Sequence, residues 1–131
     1  MLNKLFFVII ISVIGCNSHA SFNDTLIAGI WKGTSICQKK NSPCHDENVV
    51  FHLIKGDKPG IYQCAANKIV NGAEEEMGVL DFTYDATSNT LTHVDKERDS
   101  IWKFNLKNNT MEGTLYSRGE LYRIVKLTRE K

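Results

Sequence analysis

Two observations predict that the chain folds as an all-β domain. Apolar residues alternate with polar ones at a period of two along most of the chain, and turn-forming residues interrupt this alternation about every eight to twelve positions. An amphipathic helix would instead repeat its apolar residues with a period near 3.6. The pattern therefore indicates short antiparallel strands joined by tight connections.

Eight strands are predicted, in up-and-down order. Their predicted bounds are residues 26–37, 48–55, 61–70, 78–85, 90–94, 101–106, 111–116 and 121–128. In the connection Asp57-Lys58-Pro59-Gly60, proline and glycine stand where a type II turn requires them. The remaining turn signals are the pairs Asn71-Gly72, Ser88-Asn89, Asn108-Asn109 and Arg118-Gly119, which tolerate positive φ. Residues 65–77 have a second interpretation, a short helical turn, because alanine and glutamate favour helix.

A closed barrel is the architecture that these strands favour. An exported domain with two open sheet edges would risk edge-to-edge association, and closure removes the edges. A flattened sandwich is the alternative. Strand parity places three sets of side chains inside, and an interior of this size is either filled by side chains or holds one small ligand. The sets are Leu80, Phe82 and Tyr84; Trp102, Phe104 and Leu106; and Met111, Gly113 and Leu115.

The first twenty residues have the layout of a secretory signal peptide. A basic start at residues 1–4 is followed by an apolar run over residues 5–14 and by small or polar residues over 15–20. The apolar run is well short of the ~20 residues that a membrane-spanning helix needs. The sequence therefore predicts an exported protein, periplasmic or extracellular, whose mature part is a single domain.

The end of this segment has two interpretations. Ser18-His19-Ala20 resembles a signal-peptidase site, which would release a domain of residues 21–131. Val13-Ile14-Gly15-Cys16 resembles a bacterial lipobox, in which residues 1–15 are removed and Cys16 is lipidated. In that case acyl chains on Cys16 would attach the protein stably to a membrane.

The charge of the mature domain argues against nucleic acid as a partner. Of 16 lysines and arginines only Lys4 precedes residue 21, and all 15 aspartates and glutamates follow it, so the net charge is about zero. The two signs are interspersed and form no basic stripe. Nucleic-acid binding and binding to an anionic membrane surface are therefore not expected.

Several residues resemble the lipocalin-like, or calycin, pattern. Gly29-Ile30-Trp31 opens the first strand, an eight-stranded meander follows, and Arg123 lies on the last strand. The resemblance implies a barrel in which Trp31 plugs one end and an arginine packs across its face as a cation–π pair. Arg123 fits this role because it shares parity with the apolar Leu121 and Val125. Two further segments, residues 33–47 and Trp102-Lys103-Phe104, resemble small exported bacterial proteins of unknown function.

Three cysteines remain in the mature domain. Asn41, Ser42 and Pro43 favour a turn that would bring Cys37 and Cys44 together as a disulfide, as expected in an oxidising compartment. Pairings of Cys64 with either of them stay open. An unpaired cysteine is most often a small buried hydrophobe.

Support for metal binding or catalysis is weak. The segment His45-Asp46-Glu47 could supply metal ligands together with His52 or His93, but its spacing matches no known site, and a solvated polar loop is the favoured interpretation. No Gly-x-Ser-x-Gly, phosphate-binding glycine loop, His-Glu-x-x-His or Cys-x-x-Cys motif occurs. We therefore expect neither an enzyme, a metal site nor a cofactor.

Two functions compete. The first is a binding barrel with a small apolar or amphipathic ligand in its lumen, favoured by the small residues Gly33, Ser35 and Gly113 on inward faces. The second is a cell-envelope module that binds another protein, for example as an inhibitor of an attacking hydrolase, and uses the loop between Cys37 and Cys44 as its contact surface. The space inside the barrel separates them, because an open apolar cavity favours the first and a filled lumen favours the second. Either contact surface is expected at the end opposite Trp31.

Overall fold

The computed structural model describes residues 24–131 and shows a closed barrel of eight antiparallel strands. A short helix, α1 (Asp24–Ile27), precedes the strands β1 (Gly29–Cys37), β2 (Glu47–Lys55), β3 (Ile61–Val70), β4 (Ala73–Asp85), β5 (Thr90–Asp95), β6 (Ser100–Lys107), β7 (Thr110–Ser117) and β8 (Glu120–Arg129). Each strand pairs with its neighbour in sequence, and β8 pairs with β1. The predicted class, strand order and closure are confirmed, and the sandwich is excluded. The predicted signal peptide and Cys16 lie outside the described residues.

The predicted turns form with the expected chemistry. In the β2–β3 connection Gly60 has a φ of 76° and the Ile61 N–H donates to the Lys58 carbonyl at 3.1 Å, as a type II turn requires. Asn71 and Gly72 have φ values of 52° and 79°, which suits a two-residue hairpin turn. Strand register is therefore set locally at these turns.

Two element bounds differ from the prediction by more than one residue. Residues 26 and 27 belong to α1, so the first strand begins at Gly29 rather than at residue 26. The fourth strand begins at Ala73, and the proposed helical turn over residues 65–77 is wrong. The three glutamates that suggested helix pair with β3, for example Glu75 with Lys68. Pairing between strands here overrides local helix propensity.

Trp31 closes one end of the barrel, called here the closed end. Its side chain is fully buried, and its Nε1–H donates to the Ile27 carbonyl of α1 at 2.9 Å. The arginine beside it is Arg129, whose guanidinium carbon lies 5.9 Å from the Trp31 ring centroid. The assignment of this role to Arg123 is therefore wrong. Arg123 and Arg129 share parity on β8, but only Arg129 pairs in register with Trp31.

The opposite end, called the open end, is formed by the β1–β2, β3–β4, β5–β6 and β7–β8 connections. The wall beside it is incomplete. Strand β4 pairs with β5 only over Thr83–Asp85, whereas its pairing with β3 runs from Ala73 to Thr83. Between residues 73–82 of β4 and 93–95 of β5 the strands diverge, and we call this opening the side gap.

The β1–β2 connection carries the predicted disulfide. Cys37 and Cys44 are bonded, with a Cα–Cα distance of 5.9 Å, while Cys64 is free and buried. The pairings of Cys64 with Cys37 or Cys44 are therefore excluded. Asp46 adds to the same loop, because its Oδ1 accepts a hydrogen bond from the Cys37 N–H at 2.9 Å.

We expect Cys37→Ser and Cys44→Ser each to lower the free energy of unfolding by about 2.5 kcal/mol, since opening a loop of about eight residues restores chain entropy to the unfolded state. The double variant should lose no more than either single variant, because both remove one bond. Urea unfolding measures this. A reductant supplies the control, because it should bring the wild type to the level of the variants and leave the variants unchanged.

Candidate functional site

The candidate site is a cavity of about 390 Å³ that enters the barrel from the open end and the side gap. Its deeper wall is apolar and aromatic, and its rim is polar and charged. The apolar lining consists of Phe51, Cys64, Ala66, Met77, Leu80, Phe82 and Trp102; Gly78 also lines it, and the polar lining consists of Ser35, Glu47, Lys68, His93, Asp95, Arg98, Ser100 and Arg123.

Phe104 ends the cavity at its base. Its ring stacks on Trp102 with centroids 6.0 Å apart and planes 5° apart, and meets Phe51 and Phe82 edge-on at 6.1 Å and 5.7 Å. Below this aromatic cluster lies a void of about 10 Å³, lined by Leu53, Leu91 and Met111 among others. Side chains thus fill the lumen toward the closed end, and a cavity lies toward the open end.

The predicted reason for free space is only partly correct. Ser35 lines the cavity, but Gly33 and Gly113 do not leave room. A Cβ on Gly113 would lie 2.2 Å from Cδ1 of Phe104, so this ring occupies the place of the missing side chain. A Cβ on Gly33 would lie 1.8 Å from the Lys126 carbonyl oxygen, because β1 and β8 approach closely there. Both glycines permit close packing.

Arg123 is the central polar group of the rim. Its Nη1 donates to the Ser35 hydroxyl and to the His45 carbonyl, each at 3.1 Å, and reaches the Ser35 carbonyl at 3.4 Å. All three acceptors are neutral. Within residues 24–131 Arg123 forms no ion pair, whereas Lys68 lies 3.9 Å from Glu75 and Arg98 lies 3.8 Å from Asp95. The Arg123 guanidinium carbon also lies 5.8 Å from the Tyr122 ring centroid, so a cation without an ion-pair partner stands beside an aromatic cavity.

The residues considered as metal ligands are not brought together. His45 lies on the rim, 3.6 Å from Glu47, while His52 lies on the outer face of β2 with its Nε2 2.8 Å from Glu74. His93 lies at the side gap, where its Nδ1 is 2.8 Å from the Asp81 carbonyl oxygen. Across the described part of the chain, no group of three or more His, Cys, Asp or Glu side chains is placed to hold a metal ion.

Cys64 lies in the cavity wall. It is 1% exposed, and burial raises the pKa of its thiol to about 12. Because the thiolate is the reactive form, Cys64 acts as an apolar wall residue rather than as a nucleophile.

The sequence located some of these residues and missed others. Parity predicted that Phe82, Trp102 and Arg123 face inward, and all three line the cavity. Lys68 was missed, although it continues the inward parity of Cys64 and Ala66 on β3. The side gap had no sequence signal, because it results from strand divergence.

Solved structures are similar to this fold. A de novo designed fluorescence-activating β-barrel matches with a TM-score of 0.54 at 9% identity, over 82% of this chain and 97% of the designed one. The protein Rv2717c of M. tuberculosis matches with a TM-score of 0.51 at 8% identity, over 82% of this chain and 94% of the other. No family model and no curated protein matches the sequence.

At such low identity these neighbours show the fold alone, an eight-stranded antiparallel β-barrel compatible with a lipocalin-like fold. Between residues 24 and 131, no helix has the length and apolar character needed to cross a membrane.

Proposed function

We propose that the protein binds a small amphipathic molecule with an anionic group. The observation that carries this proposal is the aromatic cavity of about 390 Å³ with the guanidinium of Arg123, which forms no ion pair within residues 24–131, at its rim. Ligand pockets commonly have volumes of about 300–1,000 Å³, mostly apolar walls and a few polar groups that fix orientation. The apolar body of the ligand would contact Trp102, Phe82 and Phe51, and its anionic group would meet Arg123.

The open cavity favours this function over a protein-binding loop. A lumen filled by its aromatic residues would have favoured the loop between Cys37 and Cys44 as the contact surface. The designed barrel with a similar fold is described as fluorescence-activating, which supports the idea that a barrel of this architecture accommodates a small molecule.

Export to an oxidising compartment is part of the same proposal. The disulfide between Cys37 and Cys44 supports it, because such bonds persist outside the reducing cytosol. Whether Cys16 carries a lipid is measured directly by the intact mass of the natively purified protein.

We expect Arg123→Gln to weaken binding of a fluorescent carboxylate probe, dansyl-aminoundecanoic acid, by about tenfold to hundredfold, since hydrogen bonds to charged groups contribute about 1.5–3 kcal/mol. Binding of the uncharged primary amide of the same probe should change little. Arg118→Gln is the matched control, because it removes the same charge from an exposed residue of the β7–β8 turn. Fluorescence titration measures all three.

A second variant tests the place of binding. Ala66 lines the cavity, so Ala66→Trp should fill it and abolish binding of both probes. Equal carboxylate affinity in the Arg123 and Arg118 variants would contradict the role of Arg123. If the wild type bound neither probe, or if Ala66→Trp retained both, the cavity would not be the binding site.

A further inference from the structure

The side gap leaves one edge of β4 without a strand partner. Beyond the pairs that join Thr83–Asp85 to Thr90–Thr92, no further pairing links β4 to β5, and β5 ends at Asp95. Continuing the register from Thr83 and Thr92 would place Asp95 opposite Leu80. The part of β4 before Leu80 therefore extends past the end of β5, and on this side nothing among residues 24–131 pairs with it.

The direction of the backbone groups on this edge follows from two hydrogen bonds. The Tyr84 N–H donates to the Gly60 carbonyl at 2.7 Å, so Tyr84 directs its backbone groups toward β3. Backbone groups alternate in direction along a strand, so those of Asp81 and Val79 point the other way, into the side gap. The hydrogen bond of 2.8 Å between His93 Nδ1 and the Asp81 carbonyl agrees with this direction.

The backbone groups of β4 that have no partner strand form the pattern of a free strand edge. The N–H and C=O of Val79 and the N–H of Asp81 face the gap, and Val79 is 47% exposed. Residues two apart on a strand are separated by about 6.6–6.8 Å, which is the spacing that a second extended main chain presents. Such an edge is a template for strand addition.

The charged side chains beside this edge determine which kind of peptide strand fits it. Glu76 and Asp81 are exposed on the outer face of this edge and flank Val79, while Met77 and Leu80 line the cavity on the inner face. Two copies of this chain would bring acidic edges together, which like-charge repulsion disfavours. Basic residues on an incoming strand would instead lie opposite Glu76 and Asp81.

We propose that the free edge of β4 binds an extended basic peptide segment as an added strand, with basic side chains outward and apolar side chains toward Met77 and Leu80. The main chain of the segment pairs with Val79 and continues along the part of β4 before it, since His93 of β5 lies beside Asp81. This site is distinct from Arg123, which lies on β8, and it does not require a small molecule in the lumen.

The test uses a capped heptapeptide in which lysine alternates with phenylalanine, titrated by isothermal calorimetry. Val79→Pro removes the N–H that faces the gap and leaves the hydrogen bonds between β3 and β4 in place, because that N–H does not point toward β3. We expect peptide affinity to fall at least tenfold. A far-ultraviolet circular dichroism spectrum equal to that of the wild type shows that the barrel of this variant is folded, and binding of the dansyl carboxylate probe should persist, since Val79 does not line the cavity. The conservative Val79→Thr keeps the N–H and separates loss of the donor from loss of the side chain.

N-methylated peptides supply a control that leaves the protein unchanged. Methylation of one alternate set of amides should abolish binding, and methylation of the other set should not, because an added strand turns only every second amide toward β4.

Absence of peptide binding, equal affinity in wild type and Val79→Pro, or equal effects of the two methylated sets would each overturn the proposal. Sedimentation velocity gives one more outcome: self-association that Val79→Pro removes would make the edge an interface between copies and would also overturn it. A loss of probe binding in Arg123→Gln with unchanged peptide binding would leave the edge site standing, so failure of either proposal is recognised separately.

Discussion

Trp31→Ala is expected to lower the free energy of unfolding by about 3–5 kcal/mol, the range for removing a large aromatic side chain from a core. The side chain of Trp31 is fully buried where β1 meets both β2 and β8. Its indole N–H also satisfies the Ile27 carbonyl. The substitution therefore leaves a void and a buried carbonyl that has lost this hydrogen-bond donor. Urea unfolding of the purified domain measures the loss.

Two further variants separate the contributions of packing, of the indole hydrogen bond and of the neighbouring guanidinium to this loss of stability. Trp31→Phe keeps most of the packing and removes the N–H, so its loss should be smaller than that of Trp31→Ala. Arg129→Gln keeps most of the side-chain stem and removes the guanidinium 5.9 Å from the Trp31 ring centroid. It should also cost less, mainly through loss of this cation–π contact and of the hydrogen bond that Nη2 donates to the Ala28 carbonyl. A Trp31→Ala variant within about 0.5 kcal/mol of the wild type would behave like a surface substitution and contradict the closed end described here.

Alternation predicted the barrel well because burial and side-chain direction are coupled in a strand. Trp31, Phe82, Trp102 and Phe104 were all expected inside, and all four are buried or partly buried against the core. Parity gives the face but not the depth along the barrel axis. Arg123 and Arg129 therefore could not be distinguished before the register between β8 and β1 was known.

The site depends on features that act between strands, which local patterns do not encode. Pairing of β4 with β3 shifts register between Ala66 and Asn67, and its pairing with β5 stops after three residue pairs. These two irregularities produce the side gap and expose Met77 beside the cavity. The same limit applies to Gly33 and Gly113, whose inward parity was correct but whose missing side chains are replaced by neighbouring atoms.

Gly33→Ala is the second substitution with a large expected effect, a loss of about 3 kcal/mol, at the upper end of the range for adding a methyl group to a packed core. The new Cβ would lie 1.8 Å from the Lys126 carbonyl oxygen, 2.8 Å from its carbonyl carbon and 3.0 Å from the Leu127 Cα. All three are backbone atoms, so no side-chain rotation relieves the contact. Strand β8 would have to move away from β1 at the seam where the barrel closes.

Gly78→Ala is the matched control, because it makes the same chemical change in a strand where nothing lies within 4 Å of the new Cβ. Its expected effect is within about 0.5 kcal/mol of zero, with a small gain from the reduced entropy of the unfolded chain. Gly113→Ala should fall between the two, since the obstacle there is the Phe104 ring, a side chain held by its aromatic neighbours. Chemical unfolding of the three variants gives the order. Equal stabilities for Gly33→Ala and Gly78→Ala would mean that β1 and β8 can separate without cost, and the barrel would then be held closed elsewhere than at this seam.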